Sequence, residues 1–112
     1  MAAFERGDIV LVSLDPTVGH EQRGTRPVLV LTPRAFNASG DVLVAPVTQG
    51  GTHSRMAGFA ITLSGSGCKT QGVVELNKMR MMDLSARKAR KIERAGQIII
   101  DDALLRLATL LE

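Results

Sequence analysis

The sequence predicts a mainly β fold: a small antiparallel barrel or curled sheet with a C-terminal helix packed on it. Three observations lead there. Short apolar runs rich in β-branched residues alternate with loops rich in Gly, Pro, Ser and Thr. Helical spacing of apolar residues is confined to the end of the chain. At 112 residues the chain suits one domain, spanning 1–112, around a single core.

The elements follow in order. Ile9–Leu14 (IVLVSL) reads as a buried strand that Asp15 and Pro16 end, because proline cannot extend a ladder. Residues 18–25 form a polar loop. Pro27–Thr32 (PVLVLT) is a second strand, with its proline first, where a missing donor does least harm. Arg34–Asn37 suits one helical turn and Ser39-Gly40 a tight turn. Asp41–Thr48 (DVLVAPVT) is a third strand, and Pro46 is expected at a sheet edge or bulge. A polar loop, 49–57, leads to a fourth strand, Phe59–Leu63, with Phe59, Ile61 and Leu63 on one face. The loop SGSGCKTQ precedes a fifth strand, Gly72–Leu76. Between Arg80 and Arg94 stand Arg80, Arg87, Lys88, Arg90, Lys91 and Arg94 against only Asp83 and Glu93; this stretch suits either a solvated face or a phosphate-tracking surface. Ile100–Glu112 reads as a helix with Ile100, Leu104, Leu107, Ala108 and Leu111 on its apolar stripe and Asp101 and Asp102 near its positive end. Leu105 and Leu110 fall off that stripe, so the helix is either deeply buried or meets a second subunit.

Composition narrows the function. Hydrophobic residues make up 45% and charged residues 22%, the balance of a folded soluble protein. No run approaches the ~18 apolar residues of a membrane span, and the N-terminus lacks a secretory pattern, so a cytoplasmic protein is expected. The lone Cys68 excludes an intramolecular disulfide, and one Cys with two His argues against a structural zinc site; no cofactor and no metal are expected. A net charge of +3, with ten Arg against four Lys, is weak support for a polyanionic partner. With no Trp or Tyr, a reader built on stacked aromatics is disfavoured.

Nucleotide-loop and metalloprotease motifs are absent. Ser64-Gly65-Ser66-Gly67 lacks the context of a nucleophile elbow, and no partner is evident to activate Cys68. The loop Gly19-His20-Glu21-Gln22-Arg23-Gly24-Thr25-Arg26-Pro27 is richer. Cleaving a phosphodiester through its own 2′-hydroxyl needs a base, a fixed cation for the phosphorane and an acid for the leaving oxygen. His20 or Glu21 suits the base and Arg23 or Arg26 the cation. No metal is needed, because the nucleophile belongs to the substrate. Read by spacing alone, the same loop better suits a solvated turn with an incidental ion pair. Thr48-Gln49-Gly50-Gly51 offers a hydroxyl and backbone amides for a phosphate oxygen or base edge, or is an ordinary turn.

Taken together, these blocks resemble the PemK/MazF family of toxin–antitoxin toxins. The resemblance runs through Gly7–Asn37, APVTQGG (45–51), AGFAITL (57–63), QGVVELNKMR (71–80) and the terminal LLRLATLLE, nearly the whole chain. The pair G-H-E-Q-x-G-T-R-P and P-V-T-x-G-G is far more specific than either loop alone, and the likeness is greatest to Kid-like and ChpB-like members. The resemblance implies a homodimeric SH3-like barrel, shared in architecture with the CcdB toxins, with a C-terminal helix. It implies a metal-independent, sequence-specific endoribonuclease acting on single-stranded RNA, chiefly mRNA, and leaving 2′,3′-cyclic phosphate and 5′-hydroxyl ends. It implies an antitoxin that lays an extended segment over the substrate groove, and operator DNA binding through the toxin–antitoxin complex. The family's catalytic arginine and threonine fall on Arg26 and Thr48, and the histidine of Kid-like members on His20.

Two positions depart. Kid-like toxins carry an arginine and an aspartate where this chain has Glu75 and Asn77; ChpB-like members share the asparagine. We therefore expect Arg26 to stabilise the phosphorane, since arginine is a poor proton donor at neutral pH. Thr48 would orient the phosphate, and His20 or Glu21 would be the base, His20 having the more useful ordinary pKa. Gln22, Arg23, Gln49, Gly50, Asn77 and Arg80 are the expected RNA-binding residues. Two other readings stay open: a CcdB-like toxin aimed at gyrase, which would not need Arg26 and Thr48, and a catalytically silent module that binds antitoxin or operator DNA.

Overall fold

Seven antiparallel strands and a C-terminal helix are seen in the computed structural model, which describes residues 3–15, 24–49 and 58–112. The elements are β1 (Asp8–Ser13), β2 (Thr25–Val30), α1 (Arg34–Asn37), β3 (Val42–Thr48), β4 (Ala60–Thr62), β5 (Val73–Glu75), a 3-10 turn (Leu76–Lys78), β6 (Arg80–Met82), β7 (Arg90–Arg94) and α2 (Gln97–Leu110). The spatial order is β4-β5-β3-β2-β1-β7, with β6 also paired to β3. This is the mainly β, barrel-like fold with a C-terminal helix that the sequence predicts.

The long apolar runs are explained by burial on both faces. Successive strand residues point to opposite sides. Ile9, Leu29, Leu31, Ala45 and Val47 face a core completed by Ile99, Ile100 and Ala103 of α2. Their neighbours Val10, Val12, Val28, Val30, Val42 and Val44 build a second core on the other face with Leu14, Met82 and Leu84. A strand with no wet face has no polar alternation to show.

Several expectations are corrected. Five strands become seven: β6 and β7 lie within the basic stretch 80–94. They are short, and β7 is an edge strand whose residues are largely exposed, so neither shows an apolar run. Pro46 is at neither an edge nor a bulge. Leu43 turns both its backbone groups toward β2, accepting from the Leu31 amide at 2.9 Å and donating to Thr32 Oγ1 at 3.1 Å. By alternation the Pro46 nitrogen points the other way, where the neighbour of β3 changes from β6 (opposite 42–44) to β5 (opposite 47–48). Its missing donor costs no ladder bond there. The helix begins three residues earlier than expected, at Gln97, because Ile99 and Ile100 belong to its buried face. Asp101 and Asp102 therefore stand in its second turn, bonded to Gln97 and Arg106 rather than to the helix end. Ala108 and Leu111 are exposed; Ala103 and Leu110 take their places against the core.

The register of β7 is set by a one-residue bulge. Ile9 opposes Glu93 but Val10 opposes Lys91, so Ile92 is the extra residue. Opposed residues share a face, so the bulge puts Glu93 on the face of Ile9 and Lys91 on that of Val10. Lys91 and Arg94 thereby both reach the buried Asp8, at 3.3 and 3.6 Å.

The buried Asn37 joins three segments. Its Oδ1 accepts from Thr32 Oγ1 at 2.6 Å, and its Nδ2 donates to the carbonyls of Phe4 and Thr32, both at 2.8 Å. Asn37→Ala strands these buried groups and should cost about 1–3 kcal/mol. Urea unfolding measures this; a change within error of zero would show that solvent satisfies them instead.

Candidate active site

Register places the site residues before any side chain is considered. Val12 opposes Arg26 in the β1–β2 ladder, so Arg26 shares the face of the second core. Val28 opposes Pro46, and two steps on Arg26 comes level with Thr48, the last residue of β3. Thr48 opposes Val73, which puts Val73 and Glu75 on this face. Arg80 opposes Val44, which adds it too. Four polar side chains from four strands thus project from one face of the sheet: Arg26, Thr48, Glu75 and Arg80.

Their contacts follow. Arg26 Nη1 donates to Thr48 Oγ1 at 3.4 Å, and Thr48 Oγ1 donates to the Gln49 carbonyl at 3.3 Å. Thr48 is buried and Arg26 half-buried. Glu75 is buried at 4% exposure, whereas Asn77, in the 3-10 turn, is exposed. Arg80 Nη1 donates to the Leu14 carbonyl at 3.1 Å, and Arg87 Nη1 donates to the carbonyls of Ser13 and Asp15 at 3.0 and 2.7 Å. These two guanidiniums hold the end of β1, which is tied to the start of β2 by Leu14 N–H to Gly24 O at 2.9 Å. Gln49 Nε2 reaches the Gln71 carbonyl at 3.5 Å. The structure therefore brings Arg26 and Thr48 together and sets Arg80 on their face. His20, Glu21, Gln22, Arg23 and Gly50 lie outside the described residues.

Two residues behind the site, Gly72 against Thr48 and Glu93 against the segment that leads to Gly72, carry no signal in the sequence. Gly72 adopts φ +123°, and a Cβ there would stand 2.7 Å from Thr48 O. Glu93 accepts from the Lys69 amide at 3.0 Å, from the Thr70 amide at 2.6 Å and from the Thr70 hydroxyl in a very short bond. Burial pushes the Glu93 carboxyl up, but the Thr70 hydroxyl and amide, the Lys69 amide and the Lys69 charge outweigh it. The net effect holds the group below its ordinary 4.5.

Known proteins resemble this chain in sequence and in fold. The family model for PemK-like, MazF-like toxins of type II toxin–antitoxin systems matches residues 5–111. The chain is 52% identical to the endoribonuclease PemK of Escherichia coli over 109 residues, covering 96% of this chain and 82% of that protein. It is 53% identical to the endoribonuclease toxin ChpB of E. coli K12, covering 97% and 95%. Among solved structures, MazF from Deinococcus radiodurans superposes with a TM-score of 0.85 at 31% identity, covering 99% of this chain and 98% of that one. A MazE–MazF crystal structure from the same organism gives 0.80, also at 31% identity, covering 99% and 97%.

The lowered Glu93 pKa makes a signed prediction. A carboxyl held lower in the folded state than in the unfolded chain contributes stability that is full above the unfolded value, near 4.5, and lost as pH falls through the folded one. The stability advantage of wild type over Glu93→Gln should therefore be constant from neutral pH to about 5 and shrink below that. Urea midpoints measured across this range check it; a gap that widens on acidification contradicts it.

Proposed function

The chain belongs to the PemK-like, MazF-like toxins of type II toxin–antitoxin systems and is an endoribonuclease toxin, an mRNA interferase, and on that premise we propose how it cuts. Its substrate is single-stranded RNA, chiefly mRNA, cleaved at chosen sequences without a metal. The RNA's own 2′-hydroxyl attacks the adjacent phosphorus, the bond to the 5′-oxygen breaks, and 2′,3′-cyclic phosphate and 5′-hydroxyl ends result. The observation that carries this reading is the Arg26–Thr48 contact on one face of the sheet.

A guanidinium presents a planar fork of donors that matches two phosphate oxygens and stays charged at any working pH. Arg26 therefore stabilises the phosphorane as charge builds on those oxygens. The Thr48 hydroxyl receives one Arg26 N–H, which orients it and frees its own proton for an acceptor; the Gln49 carbonyl now in that place can be exchanged for a phosphate oxygen. The base is His20 or Glu21. Gln22, Arg23, Gln49, Gly50, Asn77 and Arg80 hold the bases and backbone beside the cut. Arg80 has N–H groups beyond the one bonded to Leu14 with which to do so.

The partners follow from the same membership. We infer a cognate antitoxin whose extended segment covers the substrate groove, supported by the MazE–MazF complex of the matched relative. The pair would bind operator DNA through the antitoxin. The site of action is the cytoplasm, where mRNA is; among the described residues no helix is long and apolar enough to cross a membrane. We also infer a homodimer. Ile98 and Leu105, seven residues apart on α2, are 83% and 70% exposed and form an outward apolar pair suited to a second copy.

Cleavage of a long single-stranded RNA in excess EDTA tests the reaction. Wild type should give discrete cuts with cyclic-phosphate ends, and Arg26→Ala and Thr48→Ala should each lose about 10²–10³ in kcat. RNA binding without cleavage would favour a silent module, and neither binding nor cleavage a protein target. Sedimentation velocity at micromolar concentration tests the assembly: wild type should run as a dimer and the Ile98→Asp/Leu105→Asp variant as a monomer. A monomeric wild type overturns it.

A further inference from the structure

We propose that Glu93 is a positioning residue for RNA cleavage, acting on Thr48 through the segment 69–72. The proposal rests on the reading of the Arg26–Thr48 face as the cleavage site.

In sheet order β7 is separated from β5 by β1, β2 and β3, so the strand that carries Glu93 is not a ladder neighbour of the strand beside Thr48. The bulge at Ile92 turns the Glu93 side chain onto the face of Ile9, toward the stretch that leads into β5. There the carboxylate takes the Lys69 amide, the Thr70 amide and the Thr70 hydroxyl. Bonds to an ionised acceptor are the stronger kind, and three of them on two successive residues fix both the position and the direction of the backbone.

Two residues after Thr70 that backbone meets the site. Gly72 lies so close to β3 that a Cβ would stand 2.7 Å from Thr48 O, 3.3 Å from the Thr48 carbonyl carbon and 3.1 Å from Val47 Cγ1. This is backbone packed on backbone, with no flexible side chain between to absorb a shift. Gln71 O meanwhile receives Gln49 Nε2, the residue whose carbonyl accepts the Thr48 hydroxyl proton. A displacement of Thr70 is therefore passed to the Thr48 backbone through Gly72, and through Gln71 to Gln49, whose carbonyl is one of the two groups that orient Thr48 Oγ1. Misplacing a reacting group by about 1 Å can cost 10²-fold. Glu93 need not touch RNA to matter.

The test compares wild type, Glu93→Gln, Thr70→Val and Thr70→Ser by RNA cleavage, with rates normalised to the folded fraction, and by backbone amide spectra. Glu93→Gln keeps one acceptor oxygen but sets an amide N–H against the Thr70 amide. It should lower kcat about tenfold while KM stays within about twofold. Thr70→Val should act in the same direction and Thr70→Ser should restore the rate, a rescue that general loss of stability does not predict. The Thr48, Gln49 and Gly72 amides should shift in Glu93→Gln without RNA. If that variant does not fold, the Thr70 pair decides alone: equal rates for Val and Ser overturn the proposal. A folded Glu93→Gln with wild-type kcat and an unmoved Thr48 amide also overturns it. If wild type cuts no RNA, the cleavage reading fails, while the amide shifts still decide whether Glu93 positions Thr48.

Discussion

The arrangement depends on one strand serving two ladders at once. Along β3 the odd residues bond to β2, and the even residues turn to β6 near the start and to β5 at the end. Because opposed residues share a face, this double pairing fixes which side chains of four strands stand together. Arg26, Thr48, Glu75 and Arg80 are on one side for the same reason that Val12, Val28 and Val44 are. A one-residue slip in any of these ladders would turn its contribution to the other face. Both faces of the central strands are buried, so such a slip would exchange one core for the other without exposing it. Register then has to be held by features other than simple burial, and the molecule has several: Pro46 at the handover, the bulge at Ile92 and the Asn37 junction.

The packing of α2 adds a second constraint on the same sheet. Gly7, at φ +96°, lies where a Cβ would be 2.4 Å from Ile100 Cδ1. Its amide donates to Val30 O at 2.9 Å and its carbonyl accepts the Ala95 amide at 2.8 Å. The helix therefore approaches at the point where the start of β1 is bonded to β2 on one side and to the end of β7 on the other. Helix and sheet edge are registered together there.

The part of this legible in the sequence is the part carried by local pattern. β1, β2 and β3 show as long apolar runs, and Arg34–Asn37 as a helical turn. β6 and β7 do not show, because short strands rich in Arg and Lys look like solvated loop until their long-range partners are known. Arg26 and Thr48 were readable only as members of a motif; their adjacency comes from the β2–β3 register, which no spacing reveals. Gly72 and Glu93 are unreadable as supports of the site. A glycine before a strand and a glutamate in a basic stretch are ordinary, and their meaning lies in contacts with residues 24 and 23 positions away in the chain.

The charge of the molecule is reinterpreted in the same way. As a string, 80–94 suits a solvated face or a phosphate-tracking surface equally. In the fold, Arg80 and Arg87 donate to carbonyls at the end of β1, and Lys91 and Arg94 pair with Asp8, so much of that charge is spent within the protein. Among the described residues of the strands flanking β3, Arg26 and Arg80 are the cations that share the face of Thr48, one from either side of β3. Between the levels of Thr48 and Val44 on that face stands Glu75, where the resemblance to Kid-like toxins implies an arginine, with Asn77 where it implies an aspartate. The exchange keeps one carboxylate in the stretch but moves it two residues earlier, from the exposed turn into buried β5. A buried acid on the same face offsets positive charge that would otherwise repel itself in a poorly solvated place. The departure from the family pattern thus removes a cation and moves the carboxylate, making this stretch one unit more negative, and leaves the Arg26–Thr48 contact, on which the proposed phosphate chemistry rests, in place.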